Sequence, residues 1–289
     1  MRAFRFLAPL LLLLAAAPTP RTAHPALWKL SDADTTIWLF GSIHALPTNV
    51  NWRDPAIEKA VKASDSLTLE TVVDQDPAGL AAILLGMARG QGLPPLADRV
   101  PADKRARLDA LIAASRMPPG ALDGMKSWAA AIILTGAAMQ EIGIGAENGV
   151  EQQLSLLFRA KGKAIDGLET PAQQLGFFDA LPEAAQRSFL VATLDSPDKG
   201  RAEFAEMIGA WSKGDVAGIA RAFAEDPEFT PELRDLLVRR RNAAWAAELE
   251  KRMARPGTSF VAVGAGHLAG EDSLIGLLKA KGLKVVRAD

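Results

Sequence analysis

Two copies of one short motif, a glycine followed three residues later by a histidine, lie near opposite ends of this 289-residue chain. They are Gly41-Ser-Ile-His44 and Gly264-Ala-Gly-His267, and together they hold two of the chain's three histidines. Each motif follows an apolar run that is typical of a buried strand, at residues 36–40 and 259–263. A glycine that ends a strand lets the backbone approach another group closely, and the histidine is then held at the strand's carboxyl end. Because open α/β sheets bind ligands at that edge, the motifs predict one shared site.

Strand signals lie at the beginning, middle and end of the chain, with helical patterns between them. Residues 28–31 and 35–40 predict a hairpin, and further short strands are predicted at 67–69, 163–166 and 284–287. The intervening segments predict helices separated by proline and glycine, the longest covering residues 231–253. We therefore predict an α/β (α+β) fold. Its mixed central sheet is built from N-terminal, middle and C-terminal strands and carries large helical insertions at about 77–148 and 171–255.

The composition excludes several classes of function. A hydrophobic content of 49% is enough for a sizeable core, and a net charge of -1 without a broad basic face argues against a nucleic acid partner. The chain has no cysteine, so it has neither disulfides nor thiolate ligands. Any metal ion would have to be bound by His, Asp or Glu side chains.

The amino terminus has the pattern of a secretory signal. Arg2 and Arg5 precede an apolar stretch at residues 6–17, which is shorter than the ~20 residues that span a membrane. We predict that residues 1–23 are a signal peptide, with cleavage after Ala17, Ala23 or Ala26 as alternatives. Residues 24–289 then form a single exported domain, periplasmic or secreted, without a spanning helix. An uncleaved amino-terminal anchor is the other interpretation.

Four polar side chains are predicted at the carboxyl ends of separate strands. They are His44, Glu70, Glu169 and His267, and sites on α/β sheets are usually assembled in this way. Two imidazoles and a carboxylate can bind a divalent ion at about 2.0–2.2 Å and leave a position for water. Such water can attack a carbonyl while a second carboxylate transfers protons. For each residue alone, a structural role at a turn or strand end is the competing interpretation.

Arg241 and Glu151 are further candidates, because helical spacing turns both toward apolar neighbours. Arg241 is four residues from both Leu237 and Trp245, so its guanidinium can bind a site carboxylate or a developing oxyanion. Alternatively, it extends over apolar neighbours into solvent. Glu151 shares a helix face with Leu154, which turns its side chain toward the core. Alternatively, it is an acidic residue of the first helical turn that the helix dipole stabilises.

These residues together resemble the TraB/GumN family, which is related more distantly to the Tiki proteases. The resemblance covers nearly all of the predicted mature chain. It is carried by Phe40-Gly-Ser-Ile-His-Ala-Leu-Pro47, Leu69-Glu70, Gly149-Val-Glu151, Gly167-Leu-Glu169, Arg241-Asn242 and Val263-Gly-Ala-Gly-His-Leu-Ala-Gly270.

The resemblance implies a particular set of site residues. In the family pattern, two Gly-x-x-His motifs and an intervening glutamate correspond to His44, His267 and Glu70. Tiki-like members are metal-dependent proteases that prefer ions such as manganese or cobalt, whereas the related erythromycin esterases use histidine and glutamate without a metal. A shared fold therefore does not decide the chemistry.

Three hypotheses about function follow. The first is an exported metal-dependent hydrolase, foremost a peptidase, acting on a peptide or small-molecule substrate. In it His44 and His267 bind Mn, Co or Zn, Glu70 is either a further ligand or the general base, and Glu169 and Arg241 position substrate or charge. Gly41 and Gly264 let the backbone approach the site. The second hypothesis is a non-catalytic exported binding protein for a ligand or peptide, and the third is a metal-free hydrolase similar to the erythromycin esterases.

Overall fold

Four adjacent parallel strands of the six-stranded main sheet determine where the site lies. The computed structural model describes residues 21–72, 77–225 and 229–289. The strands are β1 (Arg21–Thr22), β2 (Leu27–Ser31), β3 (Thr35–Ser42), β4 (Val50–Asn51), β5 (Ser66–Leu69), β6 (Ala164–Gly167), β7 (Gly257–Gly264) and β8 (Val285–Arg287). The main sheet has the order β6-β5-β7-β3-β2-β8. Strands β6, β5, β7 and β3 are parallel, while β2 is antiparallel to β3 and β8. The predicted mixed α/β fold is confirmed.

The helices fill the intervals between these strands. They are α1 (Pro55–Ala63), α2 (Pro77–Ala88), α3 (Arg105–Ser115), α4 (Ser127–Glu141), α5 (Val150–Arg159), α6 (Pro171–Asp179), α7 (Glu183–Ala192), α8 (Pro197–Ser212), α9 (Val216–Glu225), α10 (Pro231–Arg234), α11 (Arg240–Met253) and α12 (Leu274–Ala280). Asp54 caps the amino terminus of α1, because its carboxylate accepts a hydrogen bond from the N–H of Ile57 at 3.0 Å.

The two ends of the chain meet at the centre of the sheet. Strands β3 and β7 pair in parallel over eight residues, with Gly41 opposite Val263 and Ser42 opposite Gly264. Both strands therefore finish at the same edge, and each is followed directly by a histidine-bearing turn.

Each face of the main sheet is covered by helices. Side chains alternate along a strand, so neighbouring residues enter opposite cores. Phe40 and Phe260 pack in the core that includes residues of α1, α5, α8 and α9. Leu39 and Val261 pack in the other, with residues of α11 and α12. A third core joins the two helical insertions, because residues of α2, α3 and α4 pack there with Leu190 of α7 and the following Leu194.

Two local features differ from the sequence prediction. The helix predicted over residues 231–253 is interrupted by a π-helical segment, Asp235–Arg239, between α10 and α11. The parallel pair of β1 and β4 was not predicted, because two-residue strands carry no periodic pattern. Residues 1–20 lie outside the described residues, so most of the predicted signal peptide stays a prediction. Among the residues described, no helix is both long enough and apolar enough to cross a membrane.

Candidate functional site

The carboxyl edge of the parallel strands gathers the four residues that the sequence places there. His44 follows β3, Glu70 follows β5, Glu169 follows β6, and His267 follows β7 in a short 3₁₀ turn, Ala265–Leu268. The hydrogen bonds from the N–H of Gly264 to Glu70, and from the N–H of Glu169 to the Glu70 carbonyl, link three of these strand ends directly.

Arg241 is the centre of the buried part of this edge. Its guanidinium donates to Glu169 from Nε at 2.9 Å and from Nη2 at 2.9 Å, and Nη2 also donates to Glu70 Oε2 at 2.6 Å. Its Nη1 lies 3.2 Å from His267 Nε2. All four side chains are buried, so these are charge-assisted bonds in a poorly solvated environment. Arg241 thus binds two carboxylates of the site, and its guanidinium does not extend into solvent.

The π-helical segment contributes to the placement of Arg241. A π turn adds a residue to the helix and changes which side chains face the core, and such turns are frequent at functional sites. Arg241 Nη1 lies 3.3 Å from the carbonyl of Leu237, within this segment. Its guanidinium also stacks 4.7 Å from the centre of the Trp245 ring, one helical turn later.

Glu169 is fully engaged by its neighbours. Its Oε1 accepts hydrogen bonds from Arg241 Nε and from the indole N–H of Trp245 at 2.9 Å, and its Oε2 accepts from Nη2 of Arg241. Glu70 is similarly held, because Oε1 accepts from the N–H of Gly264 at 2.7 Å and Oε2 accepts from Gln174 at 3.2 Å as well as from Arg241. Both carboxylates therefore keep Arg241 in place.

His44 lies at the exposed rim of the site, with Glu151 as its direct partner. His44 Nδ1 is 2.7 Å from Glu151 Oε1, which also accepts a hydrogen bond from the Ser42 hydroxyl at 2.5 Å. Glu151 lies in the first turn of α5, and the N–H of Val150 there donates to the Ile43 carbonyl. Within the described chain, the buried Oε2 atom of Glu151 has no hydrogen-bond partner.

The two imidazoles of the site have opposite electrostatic environments. The charge and hydrogen bond of Glu151 raise the pKa of His44 to about 9, although water screens part of this effect because the side chain is 71% exposed. Burial lowers the pKa of His267 to about 4, and the charges of Arg241 and His44 add to that effect. At neutral pH one ring is therefore protonated and the other is neutral.

Glu70 stays ionised at neutral pH. Burial raises the pKa of its carboxyl, but the charges of His267, Arg241 and His44 and the N–H of Gly264 outweigh burial and lower it to about 2. Since His267 is neutral above its own pKa, Arg241 is the buried cation that keeps Glu70 ionised. His44 therefore belongs to the same electrostatic cluster as Glu70, Arg241 and His267, without a direct contact to them.

Both motif glycines lie at close approaches of the backbone. A Cβ on Gly41 would lie 3.0 Å from Ala265 Cα and 3.2 Å from its Cβ, and one on Gly264 would lie 3.1 Å from Glu70 Oε1. The carbonyl of Gly41 also accepts the indole hydrogen bond of Trp211 at 2.7 Å. These contacts agree with the predicted role of the glycines.

The donor atoms of the site, as arranged, do not form a metal centre. Among the described residues, no group of three or more His, Asp or Glu side chains is arranged to hold a metal ion. An ion bound by His267 Nε2 and Glu70 would lie within a few ångströms of the Arg241 guanidinium, and like charges at that distance repel. The residues as arranged do not fit a resident divalent ion, and the predicted metal requires Arg241 to move. It stays a prediction.

Four residues of the site carried no role in the sequence-based hypotheses. Asn242 binds the His267 ring, Trp245 binds Glu169, Gln174 binds Glu70, and Ser42 binds Glu151. Trp245, four residues after Arg241, could be inferred because i and i+4 residues share a helix face. For Asn242 the available signal is the Arg241-Asn242 pair that carries part of the family resemblance. The sequence carries no such signal for Gln174.

Comparison with known proteins shows the family of this chain. The TraB/PrgY/gumN family matches residues 26–287. The chain belongs to that family. YbaP of Escherichia coli strain K12, described as an uncharacterized protein, is 25% identical over 241 residues, which cover 83% of this chain and 87% of YbaP. YbaP of Shigella flexneri matches with the same identity and coverage. No solved structure matches the chain.

Proposed function

We propose that this TraB/PrgY/gumN family member is a hydrolase whose reaction centre is the cluster of His44, Glu151, Glu70, Arg241 and His267. One observation carries the proposal: two imidazoles lie at one sheet edge, one beside a carboxylate and the other beside a guanidinium. Such neighbours drive the pKa values of two titratable groups apart, which is how an acid and a base are obtained from one residue type.

The two rings have complementary roles in this proposal. Protonated His44 donates a proton to the leaving group or stabilises the developing oxyanion. Neutral His267 accepts a proton from the attacking water through Nε2, and Glu70 Oε1, 3.6 Å from that nitrogen, stabilises the resulting imidazolium. Glu169 positions Arg241, and Arg241 holds Glu70; Nη1 of Arg241, 3.2 Å from His267 Nε2, donates to that nitrogen at rest and moves aside when Nε2 accepts the proton.

This proposal assigns the chemistry to side chains rather than to a resident ion. The guanidinium of Arg241 lies 3.2 Å from His267 Nε2, the nitrogen that a metal ion would need. We therefore favour the metal-independent form over the metal-dependent peptidase that the family resemblance implies. The substrate class is a peptide or a small molecule with a hydrolysable acyl bond.

The test is hydrolysis of p-nitrophenyl acetate and of fluorescein-labelled casein by the purified mature protein. We expect turnover by the wild type, with a loss of about 10²–10⁴-fold in His44→Ala and His267→Ala. Arg240→Ala is the matched control, because Arg240 neighbours Arg241 but is exposed and pairs with Asp235. Each variant is assayed with EDTA and with added Mn²⁺, Co²⁺ or Zn²⁺.

Each possible result separates the hypotheses. Activity that survives EDTA and requires both histidines supports the proposal. Activity that appears only with an added ion supports the metal-dependent form. If no substrate turns over under any condition, the hydrolase proposal is wrong and the non-catalytic binding protein is favoured.

We also propose that the protein acts outside the cytoplasm. The support is the sequence alone, in which Arg2, Arg5 and the apolar residues 6–17 have the order of a secretory signal. Cell fractionation with a carboxyl-terminal tag tests this, and retention of the full-length chain in the cytoplasm would contradict it.

A further inference from the structure

Asn242 lies against His267 on the side away from Arg241, and it is completely buried. Its side-chain amide makes three polar contacts, two with backbone carbonyl groups and one with the His267 ring. Nδ2 is 3.1 Å from the carbonyl oxygen of His267 and 2.8 Å from that of Asp272, and Oδ1 is 2.8 Å from His267 Nδ1. The two backbone carbonyl oxygens and the imidazole ring therefore use both N–H donors and the oxygen of the amide.

These contacts fix which way the amide faces. Backbone carbonyl oxygens only accept hydrogen bonds, so the NH₂ group of Asn242 must face the two carbonyls. Its oxygen therefore faces the imidazole. An amide oxygen also only accepts, so His267 Nδ1 must carry the proton.

The other ring nitrogen follows from the first. A neutral imidazole carries one proton, so His267 Nε2 has a lone pair. The contact with Arg241 is consistent with this, because a guanidinium only donates and its Nη1 lies 3.2 Å from Nε2. Two neighbours, one on each side of the ring, thus favour the same tautomer, Asn242 through the shorter contact of 2.8 Å and Arg241 through the longer contact of 3.2 Å.

We propose that Asn242 is a positioning residue that fixes His267 in its Nδ1–H tautomer and directs the Nε2 lone pair toward Arg241 and Glu70. Its catalytic consequence rests on the proposed function, because only Nε2 then accepts a proton from water. The tautomer itself does not depend on turnover. A failure to find hydrolysis and a failure of this inference are therefore separate results.

The experiment is ¹⁵N NMR of the histidine side chains in the full mature protein at neutral pH. The chain has three histidines, so the two-bond ¹H–¹⁵N spectrum holds three ring patterns. Variants His24→Gln and His44→Gln assign the His267 pattern by elimination. We expect a protonated Nδ1 and an unprotonated, strongly downfield-shifted Nε2 for His267 in the wild type.

Two substitutions separate the role of the acceptor from that of the packing. Asn242→Leu removes the acceptor, so we expect Nδ1 to lose its exclusive protonation and the Nε2–H form to appear. Asn242→Asp keeps an oxygen facing the ring but loses both NH donors, so we expect Nδ1 to remain protonated. Rescue by Asp would identify the acceptor as the group that matters.

Gln186 provides the matched control for loss of a buried amide. Gln186 is also buried, donates to the Leu181 carbonyl at 2.8 Å and accepts from the N–H of Trp128, in the core of the helical insertions. Gln186→Leu therefore also removes a buried amide network, but we expect it to leave the His267 pattern unchanged.

Three results would overturn the inference. They are a wild-type His267 with its single proton on Nε2, an Asn242→Leu protein with the wild-type pattern, and an Asn242→Asp protein with an unprotonated Nδ1. If Asn242→Leu does not fold, the wild-type and Asn242→Asp spectra still decide the question.

Discussion

At the residue scale, the buried edge of the sheet depends on one cation. Arg241 faces two buried carboxylates, Glu70 and Glu169, and its five N–H donors allow it to bind both at once. Removing one partner of a buried ion pair is costly because the remaining charge is left without compensation. Here a single substitution would leave two such charges.

We therefore expect Arg241→Ala to lower the free energy of unfolding by about 3–5 kcal/mol. Arg240→Ala should leave it close to the wild-type value, because the Arg240 side chain is 64% exposed and its pairing is screened by water. Urea unfolding followed by tryptophan fluorescence measures both. Equal losses in the two variants would show that the buried network does not contribute to stability.

The neutral state of buried His267 predicts a pH dependence of stability. Its pKa is lowered from 6.5 to about 4, so between these values the unfolded chain binds a proton more readily than the folded protein. Stability therefore falls as the pH drops through this window. Below it, Glu70 continues the loss, because its pKa is lowered from 4.5 to about 2 and its ionised form is the stabilised one.

Urea midpoints measured between neutral pH and about pH 4 test this prediction. We expect the wild type to lose stability on the order of 3 kcal/mol across the window. His267→Gln should show a much flatter dependence, whereas His24→Gln, which changes a side chain that is 65% exposed, should keep the wild-type slope. A wild-type slope in His267→Gln would mean that another group titrates.

At the scale of elements, the close approach between the end of β3 and the turn after β7 has no room for a side chain at Gly41. Its Cβ would meet backbone and side-chain atoms of Ala265 at 3.0 and 3.2 Å. We expect Gly41→Ala to destabilise the protein by about 1–3 kcal/mol, as overpacking does elsewhere. Thermal unfolding measures this change.

Gly136, in the exposed part of α4, is the control for that substitution. Apart from its chain neighbours and the backbone of its own helix, no heavy atom of the described residues lies within 4 Å of a Cβ built there. Because alanine favours a helix over glycine, Gly136→Ala should stabilise the protein by about 0.5–1 kcal/mol. Opposite signs at the two glycines would establish that space, rather than backbone entropy, decides the effect at Gly41.

The strand ends could be predicted from the sequence, whereas most of the pairing between side chains could not. The strands at residues 36–40 and 259–263 can be predicted because an apolar run that ends in glycine is a local sequence pattern. The bond between Arg241 and Glu70 joins residues 171 positions apart, so it depends on how α11 packs on the sheet. This packing depends on the strand order and on the π-helical segment, and the sequence has no local pattern that predicts either of them.

The same distinction explains Glu169 and Glu151. The sequence places Glu169 correctly at a strand end, but its engagement by Arg241 and Trp245 arises only in the folded protein. Glu151 was a secondary candidate, yet it is the direct partner of His44. A carboxylate in the first turn of a helix is already explained by its interaction with the helix dipole, so the sequence gives no reason to expect its contact with His44.

At the scale of the whole molecule, the amino terminus of the described chain is part of the fold. Strand β1 pairs with β4, and Ala23 is buried and donates its N–H to the Asn51 carbonyl at 2.8 Å. The N–H of His24 donates to the carbonyl of Ser212 at 2.7 Å, which connects this segment to α8. Signal cleavage after Ala17 would keep all of these contacts, whereas cleavage after Ala26 would remove them.

We therefore expect a chain that begins at residue 18 to be more stable than one that begins at residue 27. Three backbone hydrogen bonds, from the N–H groups of Arg21, Ala23 and His24, are lost in the shorter chain, at about 1 kcal/mol each. Urea unfolding of the two chains measures the difference, and mass spectrometry of the exported protein locates its amino terminus. Equal stability of the two chains would contradict a structural role for this segment. A mature terminus at residue 27 would instead show that the native fold forms without it.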